Sequence, residues 1–397
     1  MGASSSALAL AASLRALSDD ALTALLHARP LREAGIRDVF DLAEALLDAA
    51  SVQAALAHLD RTALGVLATA VLAPTDPDAT TVAQRLARPQ AEVDAAVDRL
   101  TELALLIPDD ARIIVPDAVA EVLRAWPAEG LPSLEQLVHG TPPAALEPVG
   151  GADRASADRV ASERAFSAVT AVGELVGVVE REPARMLQRG GIALPDWRRL
   201  LSATGASSDT ELATLLAIAE GAQLVAASAG AWRATEHSET WRSSTRVERW
   251  AALAASWLTQ VPPELREQLR ARAGARWGDG LLEYLSWLYP AGGAWLPART
   301  SEVIGAAETL GIADASVPST GGAALLLHGA DAASAAMAEL FPPEVRQVYI
   351  QHDLSIIAPG PLASDVDLRL REVADVESVG LASSYRITAA SVTRALT

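Results

Sequence analysis

Cysteine, lysine and asparagine are absent from all 397 residues. Without cysteine there is no disulfide, no thiol nucleophile and no zinc–thiolate site. Without lysine there is no phosphate-loop lysine, no Schiff base and no lysine general base, which excludes a Walker-type ATPase within these residues. A GC-rich genome would account for the three absences, but the chemical consequences hold whatever the cause. Long hydrophobic runs are missing as well. Half the residues are apolar, yet runs such as 212–217 and 323–327 are far too short to span a bilayer.

Catalytic patterns are equally scarce. The histidines His27, His58, His139, His237, His328 and His352 stand singly, with no H-E-x-x-H or other ligand spacing. There is no G-x-S-x-G elbow. Gly321-Gly322 lacks both the GK[ST] of a phosphate loop and the G-x-G-x-x-G of a dinucleotide site. The acidic pairs Asp19-Asp20 and Asp109-Asp110 are explained by a helix cap and a turn. The expectation is a protein that is not an enzyme, with no metal and no cofactor.

What is abundant is acid. Fifty Asp and Glu face thirty-two Arg, a net charge of -18. Phosphate binding is dominated by cationic side chains, so this balance argues against a general nucleic-acid binder. The charge is uneven, however. Residues 1–140 hold 10 Arg against 20 acids, residues 181–299 hold 14 against 12, and residues 300–397 hold 5 against 12. Only the middle offers a basic face.

The first twenty residues have no positive leading region, and Arg15 follows the apolar run instead of preceding it. They read as a helix leading into the first domain, not as a secretory signal, although Met1-Gly2 with Ser6 fits a myristoylation pattern. The expected location is the cytoplasm. Residues 1–126 form a helical N-terminal region, with Ser18 as a cap, helices over 21–28, 38–50 and 52–59, and a winged-helix unit over 61–125. The third helix of that unit, 90–103, occupies the recognition position, but its polar face, Gln90, Glu92, Asp94, Asp98, Arg99 and Glu102, has the wrong net sign for phosphate. A wing is expected from 105–107 and 112–115. Residues 127–160 are rich in Pro and Gly and read as a linker.

Residues 161–260 read as a second winged-helix-like unit: a long helix over 162–179, a short one over 197–204, a third over 209–221, and a wing with Gly230 at its turn. Its arginines lie away from the third helix. Arg185, Arg189, Arg198 and Arg199 are either a phosphate-contacting edge or a solvated face with ion pairs to Glu180, Glu182 and Asp196. Residues 261–340 form a helical region bearing tryptophan and arginine, in which Arg266, Arg270 and Arg272 make a second candidate contact surface. Tryptophans 241, 250, 257, 277, 287 and 295 are flanked by periodic Leu and Ala, which favours core packing over stacking on bases.

Residues 341–397 form a small α/β module. Two short strands within 347–361, a helix over 363–373, a strand over 383–388 and a final helical piece give β-β-α-β-α. Gln351, Asp353, Ser355, Pro359, Gly360 and Pro361, then Ala374, Asp375, Glu377 and Ser378, then Tyr385, Arg386, Thr388, Ser391, Arg394 and Ala395 form a recognisable pattern. It resembles the damage-recognition-like module that precedes the motor of XPB-type DNA helicases. It is more similar still to actinobacterial helicase-associated proteins, which carry that module without a motor. Ser355 stands where such relatives have Thr, and Gly380-Leu381-Ala382 replaces a Gly-Gly-Ala-like run.

The expected fold is mainly α with small β wings: two winged-helix-like units, a helical middle and the C-terminal α/β module. The resemblance implies a non-catalytic helicase-associated accessory protein in DNA repair or transcription, with DNA, a helicase or a transcription-machinery protein as partner, and no membrane. The alternative is an acidic protein–protein interaction scaffold that touches no nucleic acid.

Overall fold

The computed structural model describes residues 3–29, 31, 35–109, 111–378, 380 and 382–396. Met1-Gly2, Asp110 of the expected turn and Leu381 of the divergent run lie outside them. The fold is mainly helical, 62% helix against 9% strand, with small antiparallel sheets. Its organisation is therefore a problem of packing helix on helix, with the sheets fixing local corners. The chain divides into two compact units, residues 1–145 with 279–299, and residues 146–278 with 300–397. The region 261–340, one stretch in the sequence reading, is shared between them.

In the first unit the helix Arg61–Leu72 is buried continuously from Ala63 to Ala70. A helix apolar on every side belongs at the centre of a core, and Leu56, Val82, Val93, Leu100, Leu123 and Trp126 pack around it. Aspartates set the starts of this helix and of those around it. Asp38 accepts from the N–H groups of Phe40 and Asp41, Asp48 from Ala50, Asp60 from Ala63 and Asp78 from Thr81. Each cap satisfies donors that the first helical turn leaves unpaired and contributes about 1 kcal/mol. Asp48 also breaks the single helix expected over 38–50. Its extended ψ of 138° ends Val39–Leu47 and its carboxylate caps Ala49–Leu56.

The expected wing of this unit is reduced to one bridge. Ile107 donates to the Ile114 carbonyl at 2.9 Å, but the neighbouring Ile113 N–H goes to Pro77 at 2.8 Å, so no ladder extends. Arg29 holds the unit's helices together from inside. It is 3% exposed and donates to the carbonyls of Leu46 (2.6 Å) and Leu103 (3.0 Å) and to Ser51 Oγ (2.7 Å). Burial lowers its pKa to about 10.

The second unit is built on the helix Gly151–Arg181, which begins eleven residues before the expected start. Local composition hid this first part, because Pro and Gly precede it and its apolar residues are alanines and a single valine, Val160. Tertiary contacts hold it. Ala157 and Ala161 are buried, Asp158 caps Thr320 through the backbone N–H (2.6 Å) and the hydroxyl (2.7 Å), and Asp153 pairs with Arg276 at 3.0 Å. Gly311, at φ 68°, passes so close to the Ala161 carbonyl that a Cβ would overlap it.

Next come Ala184–Arg185, Leu194–Thr204, Asp209–Gly221, Val225–Ser228 and Ala231–Ala234, the element order of a winged helix. Ala231–Ala234 is the middle strand of three. The two-residue turn Ala229-Gly230, with φ of 50° and 75°, suits the right-handed twist of a hairpin. Tryptophans fill the core behind it. Trp250 donates to the Leu310 carbonyl (2.7 Å), Trp257 to Val303 (3.2 Å) and Trp241 to Arg249 (3.0 Å), all buried.

The C-terminal module has one strand more than expected. Its order is Tyr349–Ile350, Ser355–Ala358, the helix Ser364–Val373, Asp375–Ser378, Ser383–Arg386 and the helix Ala389–Leu396. Asp375–Ser378 pairs antiparallel with Ser383–Arg386, with a register shift between Val376 and Ser378, which makes the module β-β-α-β-β-α. A four-residue edge strand with two acids carries almost no hydrophobic periodicity, so its sequence signal is weak.

Replacing Arg29 with alanine leaves two buried carbonyls without a donor, and we expect a loss of about 3 kcal/mol. The check is a lower urea midpoint with an unchanged slope, whereas Arg37→Ala, at an exposed pair with Asp41, should leave the midpoint in place.

Candidate functional site

The C-terminal module is seated on the rest of the second unit by charged groups that are largely out of water. Asp367 and Arg371, one turn apart on Ser364–Val373, pair at 2.9 Å. The Arg371 guanidinium reaches Glu174 of the long helix at 2.7 Å. Asp367 also accepts the Tyr385 hydroxyl at 2.6 Å. From below, Arg249 donates to Ser364 Oγ at 2.8 Å, and that hydroxyl donates in turn to the Ser244 carbonyl at 2.8 Å. Arg246 lies over the Phe166 ring at 4.4 Å and donates to Thr170 Oγ1 at 3.2 Å. The backbone N–H of Arg246 goes to Glu344 at 3.2 Å.

These environments shift the groups in different directions. Burial opposes the charge on Arg371, but the Asp367 and Glu174 carboxylates outweigh it and the net shift is upward. On Arg249, burial and the neighbouring Arg246 outweigh the pull of Asp367 and Glu344, and its pKa is lowered to about 10. Burial, then the negative Asp367, raises the Tyr385 phenol well above its ordinary 10.0. Glu174, Ser364, Asp367 and Arg371 were not picked out in the sequence. The i,i+4 spacing of Asp367 and Arg371 was visible, but that spacing is common on solvated helix faces.

Beside this network runs an open cleft of about 2350 Å³ along the long helix. Nine carboxylates and six guanidinium groups line it. That balance gives no continuous positive groove for a phosphate backbone. Among the described residues no three His, Cys, Asp or Glu side chains gather into a metal-holding group, and no helix is long and apolar enough to cross a membrane.

The residues of the C-terminal pattern fasten the module. Gln351 donates its N–H to the Ser355 carbonyl at 2.8 Å, closing the hairpin in which Leu354 takes a φ of 67°. Asp353 accepts from the Ser355 N–H and Oγ, both at 3.0 Å. These bonds, with Arg386 nearby, lower its pKa. Arg386 pairs with Glu377 and donates to the Asp353 carbonyl at 3.3 Å, so it ties the hairpin to the edge strand. Thr388 donates to Asp375 at 2.6 Å and exchanges bonds with Ser391 at the start of the last helix. The Arg394 side chain lies outside the described set.

The candidate arginines fall into distinct settings. Arg185 and Arg199 share Asp196, each at 3.1 Å, and Arg199 also meets Glu182. Arg189 and Arg198 are exposed, with no ion pair among the described residues. Arg266 is half-buried and Arg270 is exposed one turn later on Pro263–Ala271. The helix ends at Ala271, so Arg272 turns back on Gln268 at 2.8 Å, and Arg276 is taken by Asp153. The arginines 266, 270, 272 and 276 therefore do not line one helix.

Residues 348–397 match the family model described as the helicase conserved C-terminal domain. The match covers nearly all of the C-terminal module and makes it a helicase-associated region. None of the curated proteins compared with the chain matches it.

Two outcomes test this network. A phenol held protonated in the folded state but free to ionise when unfolded stabilises fully below pH 10 and loses that contribution as pH rises above it. Ultraviolet titration should therefore find one of the four tyrosines un-ionised well above pH 10 until the chain unfolds, and Tyr385→Phe should remove it. Arg371→Ala leaves two carboxylates facing each other without their cation, at a cost of about 3 kcal/mol. Thermal unfolding followed with Glu174→Gln added back should recover part of that loss.

Proposed function

We propose that the chain is a non-catalytic, helicase-associated accessory protein that works in the cytoplasm in DNA repair or transcription, through contacts with DNA and with a protein partner. One conjunction carries this reading: a helicase-type module occurs in a chain that has no lysine and no phosphate loop. Any strand-separating motor it serves must bring its nucleotide-binding lysine from outside residues 1–397. The pattern from Gln351 to Ala395 supports an XPB-type, damage-recognition-like identity for the module. The winged-helix units are the parts of the chain suited to contacts with nucleic acid or protein.

A second reading has its own support. The helix Gln90–Glu102 exposes Glu92, Asp94, Asp98 and Glu102 along one side, a surface that would dock on a basic protein and be repelled by DNA.

We expect the purified protein to hydrolyse no ATP, with or without DNA. It should bind duplex or forked oligonucleotides at low salt, with an affinity that falls steeply as salt rises. ATP turnover at any DNA concentration would overturn the accessory reading. DNA binding absent even at the lowest salt would leave the acidic scaffold as the function.

A further inference from the structure

One surface runs against the sign of the whole chain. Residues 183–195 and 221–235 hold Arg185, Arg189 and Arg233 and no Asp or Glu, in a protein whose acids outnumber its arginines fifty to thirty-two. The fold lays these two segments side by side. Ala184–Arg185 pairs antiparallel with Ala231–Ala234, with Arg185 opposite Ala231, and Met186 donates its N–H to the Gly230 carbonyl at 2.8 Å. Side chains alternate between the faces of a strand. Arg233, two residues on from Ala231, therefore stands on the same face as Arg185. On the next strand Ser228 lies opposite Ala231 and Ala226 opposite Arg233, both exposed and both small.

Arg189 lies just beyond the end of the strand Ala184–Arg185. It sits in the loop that follows Arg185, closed by Leu187 N–H to Gly191 (3.0 Å) and Gly190 N–H to Leu187 (2.9 Å), and it is exposed. Neither Arg189 nor Arg233 has an ion pair among the described residues. Arg185 contacts Asp196, yet its side chain remains 70% exposed while that carboxylate is 8% exposed. Glu182, at the border, is already bound to Arg199.

We propose that this sheet face and loop tip bind the phosphate backbone of duplex DNA, with Arg185, Arg189 and Arg233 each meeting a phosphate. This rests on the DNA-contacting reading above and adds where and how the contact is made. The third helix of the unit, Asp209–Gly221, does not enter the groove. It carries Asp209, Glu211 and Glu220, and Asp209 is already committed to the Trp197 indole N–H at 2.8 Å. The small side chains of 226–231 let a backbone approach the wing closely. Single strands are disfavoured because the surface offers no exposed aromatic ring on which bases could stack, Trp232 being 9% exposed. Contacts confined to phosphates position a protein without reading sequence, so the binding is indifferent to base composition.

The test is fluorescence anisotropy of the full chain with a short labelled duplex across a salt series. Arg185→Ala with Arg189→Ala and Arg233→Ala should weaken binding at least tenfold and flatten the log–log salt slope by about 2.7, at roughly 0.9 per phosphate. Because Arg185 also braces Asp196, the double variant Arg189→Ala with Arg233→Ala is measured beside it, with circular dichroism to confirm folding, and should flatten the slope by about 1.8. Arg266→Ala with Arg270→Ala should leave both quantities unchanged. Wild-type binding that survives the folded double variant with the same slope, or that is lost only in the Arg266 and Arg270 variant, overturns this surface and leaves DNA contact standing. Wild-type protein that binds no duplex at the lowest salt overturns both.

Discussion

A guanidinium group removed from water must find carboxylates or carbonyls, or give up its place, and the second unit depends on that requirement. Arg371 bridges Glu174 of the long helix and Asp367 of the C-terminal module. Tyr385, Ser364 and Arg249 complete the bonding around it. A charged seat of this kind is not a large source of net stability, since desolvation offsets much of the attraction. Its value is orientation. Only one placement of the module satisfies both carboxylates and the two hydroxyls together, whereas an apolar seat would tolerate sliding.

The C-terminal pattern takes on a physical meaning in this setting. Asp353 and Ser355 build a turn, Arg386 ties that turn to the edge strand, and Thr388 with Ser391 starts the last helix. The residues by which the module resembles helicase-associated proteins are the ones that hold its backbone. The pattern points to a helicase-type module through the groups that hold its backbone.

Much of the architecture was legible because it was written locally. Ser18 before Asp19–Ala28 and Gly230 at the hairpin turn follow from backbone geometry that few other residues satisfy. What escaped was written in tertiary terms. The first turns of Gly151–Arg181 are alanine-rich and polar, and it is Thr320, Arg276 and Gly311, far away in sequence, that give them a place. Asp375–Ser378 is a strand only because Ser383–Arg386 lies beside it. The arginines show the same division. Their abundance in the middle of the chain was plain, but which were paired depended on where Asp153 and Asp196 came to rest.

The aspartate caps of the first unit bear on how the chain is felt from a distance. Asp38, Asp48, Asp60 and Asp78 each sit at the positive end of a helix, with backbone N–H groups turned toward the carboxylate. Close to such a group the helix end offsets about half of the carboxylate charge, but the helix itself carries no net charge, so farther away the full negative charge is felt. A formal sum over side chains counts every one of them at full weight. That sum holds at long range, whereas the repulsion a nucleic acid meets at contact varies from face to face with which acids are engaged by their own backbone.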